Sequence, residues 1–280
     1  GVISFAPGGG EVRDLTLDAD GTSLNINGSW TTPPGVAPAL DLSIRGWTTA
    51  SGPTFRAMLP DPIHKLATDS AVEIGEGLRL DRLRLSITGD PRSDNAVIRA
   101  SGAMAVDRMS MQFGTPITDL SGVIQFTAQA EPGSTSFDVG MIAESLRVSN
   151  LLVTDARVRF ASDPDDPSII VPLISGSAHG GRFSSRARIG PDPIDPSRRR
   201  YFTSLHVAGA RFASVMADLT STPGDETGSA PDGSRGLLDA ELTLEGIVGQ
   251  EDSQVGRGEM AISGGEVLEG LHHEVGVGEV

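Results

Sequence analysis

The feature that most constrains this chain is a strict alternation of apolar and polar residues, repeated in short runs along its length. Leu40, Leu42 and Ile44 alternate with Asp41, Ser43 and Arg45. Leu83, Leu85 and Ile87 alternate with Arg84, Ser86 and Thr88. Gly122, Ile124, Phe126 and Ala128 oppose Val123, Gln125 and Thr127, and Phe183, Ser185, Ala187 and Ile189 oppose four polar or basic positions. Leu238, Ala240, Leu242 and Leu244 oppose Asp239, Glu241, Thr243 and Glu245. A period of two sends successive side chains to opposite faces of an extended strand. One apolar face and one wet face is the pattern of antiparallel sheets; parallel strands are buried on both faces.

Turn residues separate the runs: Asp20-Gly21, Gly89-Asp90-Pro91, Glu131-Pro132-Gly133, residues 163–167 and residues 190–196. Between Leu78 and Ile87 the apolar phase slips by one residue at Asp81-Arg82, which predicts a β-bulge there. Two stretches follow a helical pattern. Residues 60–68 begin with Pro60-Asp61-Pro62, and residues 211–219 place Phe212, Val215, Met216 and Leu219 on one helical face. Residues 220–235, rich in Ser, Thr, Gly, Asp and Pro, read as a loop.

Glycine and proline supply 35 and 18 of the 280 residues, and counting serine as well brings the composition close to the low-complexity range. Disorder gives no reason for alternation, so the pattern argues for a folded sheet. The net charge of −15 leaves no basic stripe of the kind that displaces counterions from nucleic acid, so nucleic acid is excluded as a partner. The absence of Cys removes disulfides, thiolate nucleophiles and Cys-based metal sites. Lys65, the one lysine, lacks the glycine-rich frame of a phosphate-binding loop. The chain opens at Gly1 without Met and has no run of 18 apolar residues, and it is expected to be a segment of a longer protein whose membrane anchor lies elsewhere.

Taken in order, several local patterns resemble the AsmA-like family, which includes envelope proteins of the TamB and YhdP type. They are Leu59-Pro60-Asp61-Pro62 with a short helix, then Thr115-Pro116-Ile117-Thr118-Asp119-Leu120-Ser121-Gly122 opening a strand. Val153-Thr154-Asp155-Ala156-Arg157 and Ser177-Ala178-His179-Gly180-Gly181-Arg182-Phe183 follow. The runs 236–246 and 256–267 resemble the strands near the C-terminus of such domains. The resemblance covers roughly residues 10–268, and the end departs from it at Gly270-Leu271-His272-His273-Glu274.

The resemblance implies an all-β fold: an elongated, strongly curved antiparallel sheet, as an open groove, with one or two short helices. It would be one continuous region with a first sheet portion over 1–110 and a second over 111–280. On the order of 14 strands at about 4.8 Å spacing would make a gutter of roughly 65 Å. The resemblance implies a non-enzymatic, periplasmic lipid-transfer or outer-membrane-homeostasis protein, with phospholipid as ligand and envelope or outer-membrane assembly proteins as candidate partners. The candidate groove residues are Leu40, Leu42, Ile44, Leu83, Leu85, Ile87, Ile124, Phe126, Leu242 and Leu244. The same residues would equally serve as the core of a closed sandwich. A structural or adhesive β-repeat binding protein or glycan is the competing function, although the spacing of the runs is too irregular for a solenoid.

Other chemistry finds little footing. A transmembrane barrel needs aromatic girdles, and only 4% of the residues are aromatic. His64, His179, His206, His272 and His273 are scattered without zinc-site spacing. Gly176-Ser177-Ala178-His179-Gly180 carries Ala where a nucleophile elbow needs serine. Asp163-Pro164-Asp165-Asp166 reads as a solvated acidic turn rather than a Ca²⁺ loop, and Arg198-Arg199-Arg200 as an exposed charge run. No catalytic residue, metal or cofactor is assigned.

Overall fold

The computed structural model describes residues 1–19, 21–48, 77–90, 95–113, 115–148, 151–163, 166–220, 235–248 and 250–264. The expected helix at 60–68, most of the 220–235 loop, His64, Lys65, His272 and His273 lie outside them.

The alternating runs form fourteen strands. They begin with β1 (Val2–Ala6), β2 (Gly9–Ala19), β3 (Thr22–Thr31), β4 (Ala39–Thr48) and β5 (Gly77–Thr88). The longest are β6 (Val97–Phe113), β7 (Thr115–Glu131) and β8 (Ser134–Val148). Then come β9 (Leu151–Asp163), β10 (Asp166–Ala178), β11 (Gly181–Pro191) and β12 (Arg199–Arg211). After the helix α1 (Phe212–Thr220), β13 (Leu237–Ile247) and β14 (Gln250–Ser263) complete the sheet. The fold is all-β: one antiparallel sheet with strands in sequence order, not closed into a barrel. Among the described residues there is no second sheet. The helical pattern at 211–219 is realised as α1.

The chain divides into two compact units, residues 1–149 with 161–166, and residues 150–160 with 167–280. In the first, the β7–β8 turn follows from its sequence. Pro132-Gly133 links β7 to β8 with Gly133 at φ 78°, the proline-then-glycine arrangement of a type II turn. In the second, His179 and Gly180 both have positive φ (53° and 77°) between Ala178 and Gly181, as a type I′ hairpin demands. Gly176 to Gly180 is therefore the end of a strand and its hairpin turn.

Bulges fix the register. Leu80 pairs with Met104 and Arg82 with Ala103, so β5 holds one extra residue at Asp81, where the sequence phase slips. Further extra residues occur in β2 between Val12 and Leu15, in β6 between Val106 and Met109, and in β12 between Val207 and Ala210. Each contains a residue in the left-handed region: Asp14 (φ 48°), Arg108 (φ 50°) and Gly209 (φ 65°). Asp119 (φ 53°) and Asp155 (φ 52°) take the same conformation in β7 and β9. The extra residue lets apolar side chains on both sides of it point to one face. The most buried apolar residues gather at these points. In the first unit they are Val106, Met109, Leu120, Ala143 and Leu146; in the second, Val153, Ala156, Ala210 and Leu238.

Candidate functional site

Antiparallel pairing turns the period-two runs into rows that cross the sheet. In the first unit Leu15, Ile26, Ile44, Leu83, Gly102, Phe126 and Val139 pair in succession from β2 to β8. The neighbouring row runs Val12, Gly28, Leu42, Leu85, Ala100, Ala128 and Phe137, and the next contains Trp30, Leu40, Ile87 and Ile98. On the other side of the first row, Leu24, Leu80, Met104, Ile124 and Met141 belong to a fourth. Directly paired residues share a face. Leu40, Leu42, Ile44, Leu83, Leu85, Ile87, Ile124 and Phe126 therefore lie on one continuous apolar surface. In the second unit, Leu242 pairs with Leu205, and Leu244 with Thr203.

None of these ten candidates is either buried or fully exposed; all are half-buried. Their partial cover comes partly from glycine on the neighbouring strand. A side chain added at Gly102 would meet the Phe126 ring at 2.9 Å, so that ring lies over the glycine. Leu42 lies over Gly28 in the same way (2.7 Å), Tyr201 over Gly246 (3.0 Å) and Leu242 over Gly258 (3.1 Å). Side chains over bare backbone shield its hydrogen-bonded groups. The edge-on contact of Phe5 with Trp30, at 5.5 Å between centroids, continues this cover to β1.

The sequence reading singled out the cleanest runs and gave less weight to Ile26, Trp30, Met104, Val139 and Met141, which complete the rows. Glycines at inward positions weaken the apolar alternation there. The signal that finds these residues is glycine itself, recurring at period two with a large side chain on the next strand.

The opposite face is largely polar, although Trp47, Val123 and Ile142 are exposed on it in the row through Arg79 and Ala105. Arg79 pairs with Asp81 at 2.8 Å, Arg99 with Glu131 at 3.4 Å and Arg200 with Glu245 at 3.2 Å. These exposed pairs contribute little to stability. In the run Arg198 to Arg200, Arg198 meets Asp195 at 3.0 Å and Arg200 meets Glu245. His179, in the β10–β11 turn, lies 3.1 Å from Asp218 of α1, and His206 of β12 lies 3.4 Å from Glu241 of β13. No group of three or more metal-ligating side chains occurs among the described residues, and no helix among them is long and apolar enough to cross a membrane.

No protein-family model, curated protein or solved structure matches the chain.

Proposed function

We propose that this chain carries phospholipid acyl chains along the apolar face of its sheet, without chemical change, as a non-enzymatic component of lipid transfer or outer-membrane homeostasis. One observation carries the reading. A single sheet, not closed into a barrel, gathers rows of apolar residues on one face and leaves Leu42, Leu85 and Phe126 half-buried at their centre. A folded chain rarely leaves contiguous apolar surface beyond a few hundred Å² without a use for it. Each shielded CH₂ of an acyl chain gains about 0.8 kcal/mol, so a chain of ordinary length is held by contact area alone, with no headgroup pocket. The resemblance to AsmA-like envelope proteins adds the periplasm as the compartment, and envelope or outer-membrane assembly proteins as partners.

The test is co-purification. Lipid extracted from the purified full-length protein is quantified by mass spectrometry, and the measurement is repeated for Leu42→Asp combined with Leu85→Asp. The reading expects phospholipid in the parent, most of it lost in the variant, with the circular dichroism of the sheet retained. Equal lipid in the two proteins, or none in either, contradicts it.

A further inference from the structure

The wet face of the first unit holds a cluster of arginines that its own carboxylates leave unmatched. Arg82 and Arg84 alternate on β5 with Leu83 and Leu85 of the apolar face, and Arg84 pairs with Ser43 of β4. Arg45, two residues beyond Ser43, faces the Asp81 bulge beside Arg82. Trp47, the next outward residue of β4, pairs with Arg79 and is 50% exposed. All four arginines are exposed as well.

The carboxylate inside the cluster is already engaged. Arg79 Nε donates to Asp81 Oδ1 at 2.8 Å. Among the described residues, Arg45, Arg82 and Arg84 form neither an ion pair nor a side-chain hydrogen bond. Their cross-strand neighbours carry no charge: Asn25 pairs with Arg45, Ala103 with Arg82 and Ser101 with Arg84. Asp41 stands a diagonal step of about 7–8 Å from Arg84. Four guanidiniums against Asp41 and Asp81 leave this surface positive, in a chain whose net charge is −15.

We infer that this surface docks an extended acidic segment of a partner protein, in which one apolar residue is followed at alternate positions by two carboxylates. Outward side chains of a strand repeat every two residues, about 6.6–6.8 Å, and an extended segment lying along β4 and β5 repeats at the same interval. Its apolar residue covers Trp47, one carboxylate meets Arg45 and Arg82, and the next meets Arg84. Trp and Arg are the residues that most often anchor protein interfaces, and Arg forks match carboxylates. A plane of anionic headgroups fits less well. It would also meet Asp18 of β2 and Asp41, within a Debye length of about 8–10 Å, whereas a single strand covers the arginines alone. The surface lies on the face opposite the apolar rows, and the inference does not depend on lipid carriage.

The probe is a synthetic hexapeptide, blocked at both ends, in which threonine alternates with one leucine and two glutamates. It is titrated into the full-length protein by calorimetry and followed by backbone amide shifts. A glutamine version of the peptide and phosphatidylglycerol vesicles are run in parallel. The expected result is binding of the glutamate peptide that weakens as salt is raised, with shifts concentrated in β4 and β5, and no detectable binding of the glutamine peptide. Arg82→Gln combined with Arg84→Gln should weaken binding about tenfold or more and Trp47→Ser several-fold. Arg182→Gln, at an exposed position of the second unit, should change nothing. Arg82→Glu combined with Arg84→Glu should reverse the preference, toward a lysine version of the peptide. No binding by the parent, equal binding of the glutamine peptide, or an unchanged affinity without the two arginines overturns the inference. Vesicle binding that needs those arginines, with no peptide binding, overturns it in favour of a membrane. The amide shifts locate the contact in the parent, whether or not a variant folds.

Discussion

The backbone amide of Gly209 donates to the Asp239 carboxylate across the β12–β13 pair at 2.9 Å. The same arrangement joins the Asp14 amide to Asn27 Oδ1 at 2.9 Å and the Arg108 amide to Ser121 Oγ at 3.1 Å. In each pair the acceptor stands opposite the bulge. A residue inserted into a strand takes its amide out of the ladder, and the side chain facing it restores an acceptor. Asp239→Ala should therefore cost about 0.5–1.5 kcal/mol. Gly209→Ala should cost roughly 1–2 kcal/mol through the left-handed backbone alone, since nothing lies near an added Cβ. Urea unfolding of the two variants measures both.

Burial differs sharply along the strands, and truncation should report it. Leu120, at the bulge in β7, is fully buried, whereas Leu85 on β5 is half-buried in the middle of the apolar face. Leu120→Ala should lose about 2–5 kcal/mol, the range for a buried leucine, and Leu85→Ala less than half of that loss. Comparable losses would mean that Leu85 is packed as a core residue.

How far the sequence revealed this architecture depended on which residues carry the signal. Strand type, antiparallel pairing and the Asp81 bulge were legible because Leu83, Leu85 and Ile87 keep a period of two and the phase breaks at one point. The bulges at Asp14, Arg108 and Gly209 were not, because a polar or glycine residue between apolar ones resembles ordinary alternation until the left-handed φ is known. The rows across the sheet depend on register, which couples residues as distant as Leu15 and Val139 and has no local signature. The apolar members on β4, β5 and β7 were identified one by one, but Trp30 and Ile26 became part of the surface only through their partners on β4. The exposure of Ile170 and Phe202 was not legible, because on the face they share with Arg188 alternation calls for polar residues.

Thr22 and Thr48 are buried at the ends of β3 and β4, with their hydroxyls 2.7 Å apart. Replacing either by Val removes this hydrogen bond, at a cost of about 0.5–1.5 kcal/mol. Replacing both should cost less than the sum of the two single changes. A double-mutant cycle by chemical denaturation reads the coupling.

The loop between β11 and β12 is tied by Asp195. The Ser197 hydroxyl donates to its carboxylate at 2.6 Å and the Ser197 amide at 3.1 Å, with Arg198 at 3.0 Å. These contacts, led by the Ser197 hydroxyl, hold the Asp195 pKa below the ordinary aspartate value. A lowered carboxylate stabilises the folded loop above the ordinary pKa, and that contribution is lost as the pH falls through the lowered one. A carboxyl-carbon NMR titration should find the Asp195 midpoint depressed in the parent and moved upward in Ser197→Ala.

The central claim is that the apolar face meets lipid, and site-specific photo-crosslinking compares its two faces directly. Crosslinking residues placed at Leu42, Leu85 and Phe126 in the full-length protein, in cells, should yield phospholipid adducts detectable by mass spectrometry. The same residues at Ser43, Arg84 and Gln125, their neighbours on the polar face, should yield few or none. Absence of lipid adducts at all three apolar positions, or equal yields on the two faces, would contradict the account.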